Sequence, residues 1–137
     1  MSCPLCAAPD GTVLWHDDFC RVIRADEPDY PGFLRVILNA HVKEMTDLPP
    51  AEREAVMRVV FAAETALREV MAPDKVNLAS LGNVVPHLHW HILPRYIGDP
   101  RWGSPIWLSS LADMREVRLE PRQQAALVAE LRGALAR

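Results

Sequence analysis

The segment His87-Leu88-His89-Trp90-His91-Ile92-Leu93 constrains the fold more than any other part of the chain. Its period of two is that of a β-strand, which puts the three imidazoles on one face and Leu88, Trp90 and Ile92 on the other. The apolar face belongs to a core. The histidine face does not, because each ring carries a donor and an acceptor that burial would leave to be satisfied. Three in a row therefore point to a polar ligand, a metal or a catalytic task. At a rise of about 3.3 Å per residue the outer rings flank His89 at roughly 7 Å, so one bound phosphate centred on His89 can touch all three.

The surrounding sequence supplies a sheet for that strand. Val13-Leu14-Trp15 and Cys20-Arg21-Val22-Ile23 read as two short strands joined by a turn at Asp17-Asp18. A third, Phe33 to Leu38, follows the turn formers Pro31 and Gly32, which predicts an antiparallel meander. The meander stops at an irregular stretch, His41 to Leu48. Pro49-Pro50 then opens a helix whose stripe of Val56, Val59, Val60, Ala63, Leu67, Val70 and Met71 repeats at three and four residues. Pro73 ends it. Strands over Val76 to Leu81 and His87 to Leu93 follow, then a loop or arm from Gly98, and a last helical pattern from Pro121 to Leu135. The order predicts an α+β domain on a five-stranded antiparallel sheet with one main helix and a C-terminal helix. Residues 1–137 read as one domain, with an N-terminal cysteine-bearing segment at 1–12 and a C-terminal arm and helix at 98–137. Open sheet edges, together with Trp102 and Trp107 in the arm, predict a twofold homodimer.

Composition excludes several classes of function. Fifteen Lys and Arg against 18 Asp and Glu give a net charge of −3, so no overall positive field draws the chain to nucleic acid or an anionic membrane. No apolar run approaches the roughly 20 residues of a membrane span, and the N-terminus lacks the pattern of a secretory signal. The expected location is the cytoplasm. Three cysteines, an odd number, exclude an all-disulfide scaffold.

Two chemistries suit the histidines. A neutral imidazole can attack phosphorus and form a covalent phosphoramidate, dividing one difficult displacement into two easier ones, while its neighbours donate hydrogen bonds or a proton to phosphate oxygens. The amides of Asn77 and Asn83 would add uncharged donors. Alternatively, imidazoles on one strand can ligate zinc and leave an open position for a hydrolytic water, making the chain a metal-dependent phosphohydrolase. A nucleotide-binding protein with little turnover is the third reading. Cys3-Pro4-Leu5-Cys6 is a separate signal, with the spacing that lets two thiolates bind one zinc. Cys20 has no partner at comparable spacing and reads as a buried strand residue.

His87-Leu88-His89-Trp90-His91-Ile92-Leu93-Pro94-Arg95 resembles the signature of the histidine triad (HIT) superfamily, and the resemblance runs from about Leu14 to Tyr96. It implies a HIT-like fold and a nucleotide substrate, with His89 as the nucleophile toward the α-phosphate and His91 contacting phosphate and aiding leaving-group or water chemistry. Leu93-Pro94-Arg95 is similar to the dinucleoside polyphosphate hydrolase branch, where Asn83 and Asn77 match amide positions that hold phosphate. The resemblance further implies that Val22 and Ile23 pack on the base and that Asp26 holds the ribose hydroxyls. The expected activity is hydrolysis or nucleotidyl transfer on dinucleoside polyphosphates such as diadenosine tetraphosphate, through a nucleotidyl-histidine intermediate and with no metal required for catalysis. By the same resemblance Cys3 and Cys6 join His41 and His87 in a structural zinc site. His87 is then divided between positioning substrate and ligating metal, and the alternative leaves two free thiols with His41 in the phosphate pocket.

Overall fold

The computed structural model describes residues 2–107 and 120–135. Two compact units divide the chain, Met1–Ile106 and Trp107–Arg137. The first begins with a single turn of helix, α1 (Pro4–Ala7), and an edge strand, β1 (Thr12–His16). It continues with β2 (Cys20–Arg24), β3 (Leu34–Leu38), a long helix α2 (Pro50–Met71), β4 (Lys75–Ala79) and β5 (His89–Arg95). The strands form one five-stranded antiparallel sheet, as the sequence predicts, and their order in it is β1-β2-β3-β5-β4. The second unit contains α3 (Pro121–Leu135), where the sequence places its last helix. The middle of the C-terminal arm, residues 108–119, lies outside the described residues.

Local chemistry explains the elements. Asp17 ends the first strand with a side-chain turn: its Oδ1 accepts from the backbone N–H groups of Phe19 and Cys20 at 2.8 and 2.9 Å. Those bonds hold its carboxyl below the usual carboxylate range. Proline occupies the first turn of α2, where a missing N–H costs nothing, and the helix ends in a left-handed Ala72 just before Pro73. The stretch from His41 to Leu48 holds one 3-10 turn, Met45–Asp47.

One sheet face packs on α2. Val56, Val60, Ala63 and Leu67 of the helix meet Cys20, Val22, Leu34, Val36, Leu38, Val76 and Ile92. Each buried Val, Leu or Ile contributes about 1.5–3 kcal/mol to that core. Val70, which the helical pattern assigned to the stripe, is 80% exposed. Cys20 is fully buried, and burial with nearby Asp17 pushes its thiol to about 11. The opposite face carries Ile23, Arg35, Ile37, His89, His91, Leu93 and Asn77, because neighbours along each strand alternate sides. Ile23, Ile37 and Leu93 are wholly buried and form an apolar floor around the polar groups. Among the described residues no helix is long and apolar enough to cross a membrane.

Candidate active site and metal centre

Two of the three histidines stay on the strand. His89 and His91 lie in β5 opposite Ile37 and Arg35 of β3, with ring centroids 4.9 Å apart and planes nearly perpendicular. His87 departs from the expectation: β5 begins at His89, so His87 falls in the bend before it and is fully buried. Backbone pairing there is irregular, since the N–H of Leu88 turns to the carbonyl of Val42 rather than continuing the ladder. The ring of His87 accordingly swings toward the N-terminus. The alternation of histidines holds in sequence, with the His87 ring engaged by the N-terminal segment and the rings of His89 and His91 set against each other.

His87 instead joins a second cluster. Its Nδ1 lies 3.4 Å from the sulfurs of both Cys3 and Cys6, and the Nδ1 of His41 lies 3.4 Å from Cys6. All four donor atoms fall within 4.8 Å of one another. A tetrahedral zinc with bonds of about 2.3 Å to sulfur and 2.0 Å to nitrogen has sulfur–nitrogen edges of about 3.6 Å, so these spacings fit such an ion. The outer nitrogen supports the fit as well. His87 Nε2 is 2.6 Å from the carbonyl oxygen of Leu38, which only accepts, so Nε2 carries the proton and Nδ1 offers its lone pair to the cluster. Burial lowers the His87 pKa below its ordinary value, keeping the ring neutral as a ligand must be. Arg21 fastens this corner, donating to the carbonyls of Leu5, Ala8 and Pro9 at 2.7, 3.1 and 3.2 Å.

The remaining pair lies on the sheet face opposite α2. His89 Nδ1 stands 2.5 Å from the carbonyl oxygen of His87. A carbonyl has no proton to give, so Nδ1 carries it and Nε2 is left as a bare lone pair. His91 is 5% exposed, and burial, with lesser contributions from His89 and Arg35, lowers its pKa to about 3. It is neutral throughout the physiological range. Arg35 Nε approaches His91 Nδ1 at 3.4 Å, and Arg35 Nη1 makes a 2.8 Å ion pair with Asp10.

The amide residues separate. Asn77 sits in β4 opposite Leu93 on the histidine face, and its Oδ1 accepts from Arg95 Nη1 at 2.9 Å, which leaves the amide N–H groups for a ligand. Asn83 is exposed in the loop between β4 and β5, without a hydrogen bond among the described residues. Arg95 is itself a hub: buried, it donates to both oxygens of Asp99 at 2.7 and 3.0 Å and to the carbonyls of Ser104 and Arg101. The bonded guanidinium holds the Asp99 carboxyl at about 2. Trp102 lies beside the same guanidinium, 5.9 Å from ring centroid to Cζ, and is 40% exposed.

The expected base and ribose contacts divide. Val22 points into the helix-side core, whereas Ile23 shares the histidine face. Adjacent strand residues cannot line one pocket, and this much follows from the period alone. Asp26 is exposed, pairs with Arg24 at 3.7 Å and borders a surface pocket of about 320 Å³ with Pro28 and Pro31. Arg35 and Asp10 were not singled out from the sequence. The available signal was a lone cation inside the apolar run Phe33 to Leu38, where burial requires a partner.

A five-stranded antiparallel sheet with a histidine pair on one face and a helix on the other defines a class, and comparison with known proteins assigns it. The HIT domain profile matches residues 8–98, and the chain belongs to the HIT family. Adenylylsulfatase HINT3 of Arabidopsis thaliana is 30% identical over 96 residues, covering 66% of this chain and 49% of the relative. AP-4-A phosphorylase of Mycobacterium tuberculosis is 29% identical over 101 residues, covering 66% of this chain and 52% of the relative. The chain thus spans about half the length of the curated relatives it matches. Among solved structures, a histidine triad protein from Marinobacter aquaeolei superposes with a TM-score of 0.67 at 29% identity, covering 93% of this chain and 90% of the other.

Proposed function

We propose that the protein hydrolyses or transfers a nucleotidyl group from a nucleotide conjugate, with a dinucleoside polyphosphate such as diadenosine tetraphosphate as the substrate to test first. The observation that carries this is the commitment of His89 Nδ1 to the carbonyl of His87, which leaves Nε2 as a bare lone pair. In the first step Nε2 bonds to the α-phosphorus while the bond from phosphorus to the leaving phosphate oxygen breaks. The positive charge that develops on the ring is shared through Nδ1–H with the His87 carbonyl. In the second step water attacks phosphorus, the nitrogen–phosphorus bond breaks with its electron pair returning to Nε2, the neutral imidazole is restored, and the proton that the water loses passes to solvent. His91 and the Asn77 amide supply hydrogen bonds to phosphate oxygens, and Asn83 closes over them from its loop. Ile23 lies in the apolar floor beneath the site, and the exposed Asp26 is available to the ribose. The names of the relatives, a phosphorylase of AP-4-A and an adenylylsulfatase, support a nucleotide substrate.

Cys3, Cys6, His41 and His87 would hold a zinc ion in a closed tetrahedron. Bound there it supplies structural rigidity, clamping the N-terminal turn against the bend before β5. This arrangement favours nucleophilic histidine chemistry over a metal-dependent hydrolase using all three histidines, because His87 Nδ1 lies against the sulfurs of Cys3 and Cys6. Open edges at β1 and β4 support assembly as a homodimer.

Rapid acid-free quenching of the protein with labelled diadenosine tetraphosphate tests the reading. A nucleotidylated His89 is expected, together with loss of turnover in His89→Ala at unchanged circular dichroism. Substantial turnover in that variant would refute the mechanism, and complete loss of turnover on chelation without loss of fold would favour a metal-dependent reaction.

A further inference from the structure

We propose that Arg95 is a positioning residue which locks the Asn77 amide with its oxygen turned to the guanidinium, so that the N–H groups of Nδ2 are presented to a phosphate oxygen on the histidine face. The part of this that concerns phosphate rests on the reading above. The orientation of the amide itself follows from Arg95.

An arginine at the end of a histidine strand invites the role of a phosphate ligand, but the donors of Arg95 are spent elsewhere. A guanidinium has five N–H groups and no acceptor. Nε donates to Asp99 Oδ2 at 2.7 Å, Nη1 to Asn77 Oδ1 and the Ser104 carbonyl at 2.9 and 3.0 Å, and Nη2 to Asp99 Oδ1 and the Arg101 carbonyl at 3.0 and 2.5 Å. Five donors thus meet five acceptors, and the Asp99 carboxylate offsets the charge. No N–H is left for an anion. The residue is 3% exposed, with the rings of Tyr30 and Trp102 centred 5.8 and 5.9 Å from Cζ.

Of these five bonds, the one to Asn77 reaches the histidine face. Arg95 only donates, so the atom that meets it is Oδ1; reversed, Nδ2–H would stand against Nη1–H, two donors facing each other. Strand register gives the consequence. Asn77 lies opposite Leu93, between the pairs Lys75–Arg95 and Ala79–His91, so Arg95 is its diagonal neighbour on one side and His91 on the other. Oδ1 and Nδ2 diverge from the same carbon, and fixing Oδ1 to the Arg95 side leaves Nδ2 for the other. Among the described residues the amide makes no hydrogen bond but the one to Arg95. A neutral donor held in advance needs no reorganisation when phosphate arrives. The lock is built largely by the segment after β5, because Asp99, Arg101 and Ser104 supply four of the five acceptors that hold the guanidinium.

The test follows the Asn77 side-chain N–H signals of the full chain by NMR, assigned through their loss in Asn77→Asp, while AMP is added. AMP is expected to shift them. Asn77→Asp keeps the shape of the side chain and its bond to Arg95 but has no N–H, so it should bind AMP about tenfold more weakly, the worth of one hydrogen bond, at unchanged circular dichroism. Arg95→Lys keeps the charge and loses the fork that joins Asp99 to Asn77. It should weaken AMP binding by about tenfold in the wild-type background and hardly at all in an Asn77→Ala background, as a residue acting through Asn77 must. Equal losses in the two backgrounds would make Arg95 a direct phosphate ligand and overturn the proposal. So does an amide whose signals AMP leaves in place, whether AMP binds elsewhere or not at all. The Arg95 guanidinium N–H signals of the wild type supply a readout that stands even if the Lys variant does not fold: they should be protected from water exchange before AMP is added. Rapid exchange without AMP and protection with it would mark free donors and overturn the assignment. If the amide and the guanidinium behave as expected while no nucleotide conjugate is turned over, the proposed function fails and the positioning role stands.

Discussion

Burial of His91 couples the active strand to pH in a way that can be measured without a substrate. In the folded chain His91 has a pKa of about 3 against an ordinary 6.5, burial being the chief cause. Below pH 6.5 the unfolded chain takes up a proton at this residue and the folded chain does not, so protons favour the unfolded state. The contribution is fully present above about pH 6.5 and is lost progressively as pH falls toward about 3. Taken over that whole interval the gap corresponds to on the order of 4 to 5 kcal/mol, an upper bound that relaxation and water entry reduce. The local slope is more robust. Between pH 5.5 and 4.5 a single buried neutral histidine costs about 1.4 kcal/mol of stability per pH unit. Urea denaturation of the wild type and of His91→Asn, at fixed metal and salt, isolates it, because carboxylates and the other histidines contribute equally to both. Asparagine keeps an acceptor near the place of Nδ1, so Arg35 retains a partner. The variant is expected to be less stable at pH 7, and its stability should fall by about 1.4 kcal/mol less per pH unit over that interval. Parallel stability lines for the two proteins would refute the claim that His91 is buried as a neutral ring.

Three other outcomes follow from the packing. Ile92→Ala, at a position with no exposure in the helix-side core, should cost about 2–5 kcal/mol in denaturant unfolding. Gly11→Ala should cost about 1–3 kcal/mol, because the added Cβ meets the Arg24 backbone rather than a movable side chain, and it should weaken the Asp10–Arg35 pair as read by Arg35 NMR signals. Arg95→Met should remove hydrogen-exchange protection from the segment 96–104 and raise KM by freeing the Asn77 amide; in the wild type the same segment should lose protection as pH falls from about 4 toward 2, since the Asp99 carboxyl is depressed by its bond to Arg95.

Much of the fold was legible because the sheet and helix signals are local. Period-two strands, turn formers at Asp17 and Pro31-Gly32, and the three-and-four repeat of α2 each need only a few neighbours to be read. The Cys-x-x-Cys pair was legible for the same reason, as two thiols whose spacing suits one metal. Val22 and Ile23 show where strand logic was available and went unused: adjacent residues face opposite ways, and only Ile23 can join the histidine side. The Arg35 contact was less accessible, since its partners Asp10 and His91 come from distant strands and segments.

The sequence by itself determined that polar imidazoles would line a strand above an apolar core, and that a thiol pair would sit at the N-terminus. It could not assign the three histidines unequal forms. That was decided by tertiary structure, because a tautomer is set by whichever group meets the outer nitrogen. For His87 that group is the carbonyl of Leu38, 49 residues away in sequence. Beside His91 stands the guanidinium of Arg35, 56 residues away. For His89 it is the carbonyl of His87, two residues back, where the chain bends before β5. Three identical side chains thus acquire three different surroundings, a distant carbonyl, a near carbonyl and a guanidinium, from neighbours that only folding brings to them.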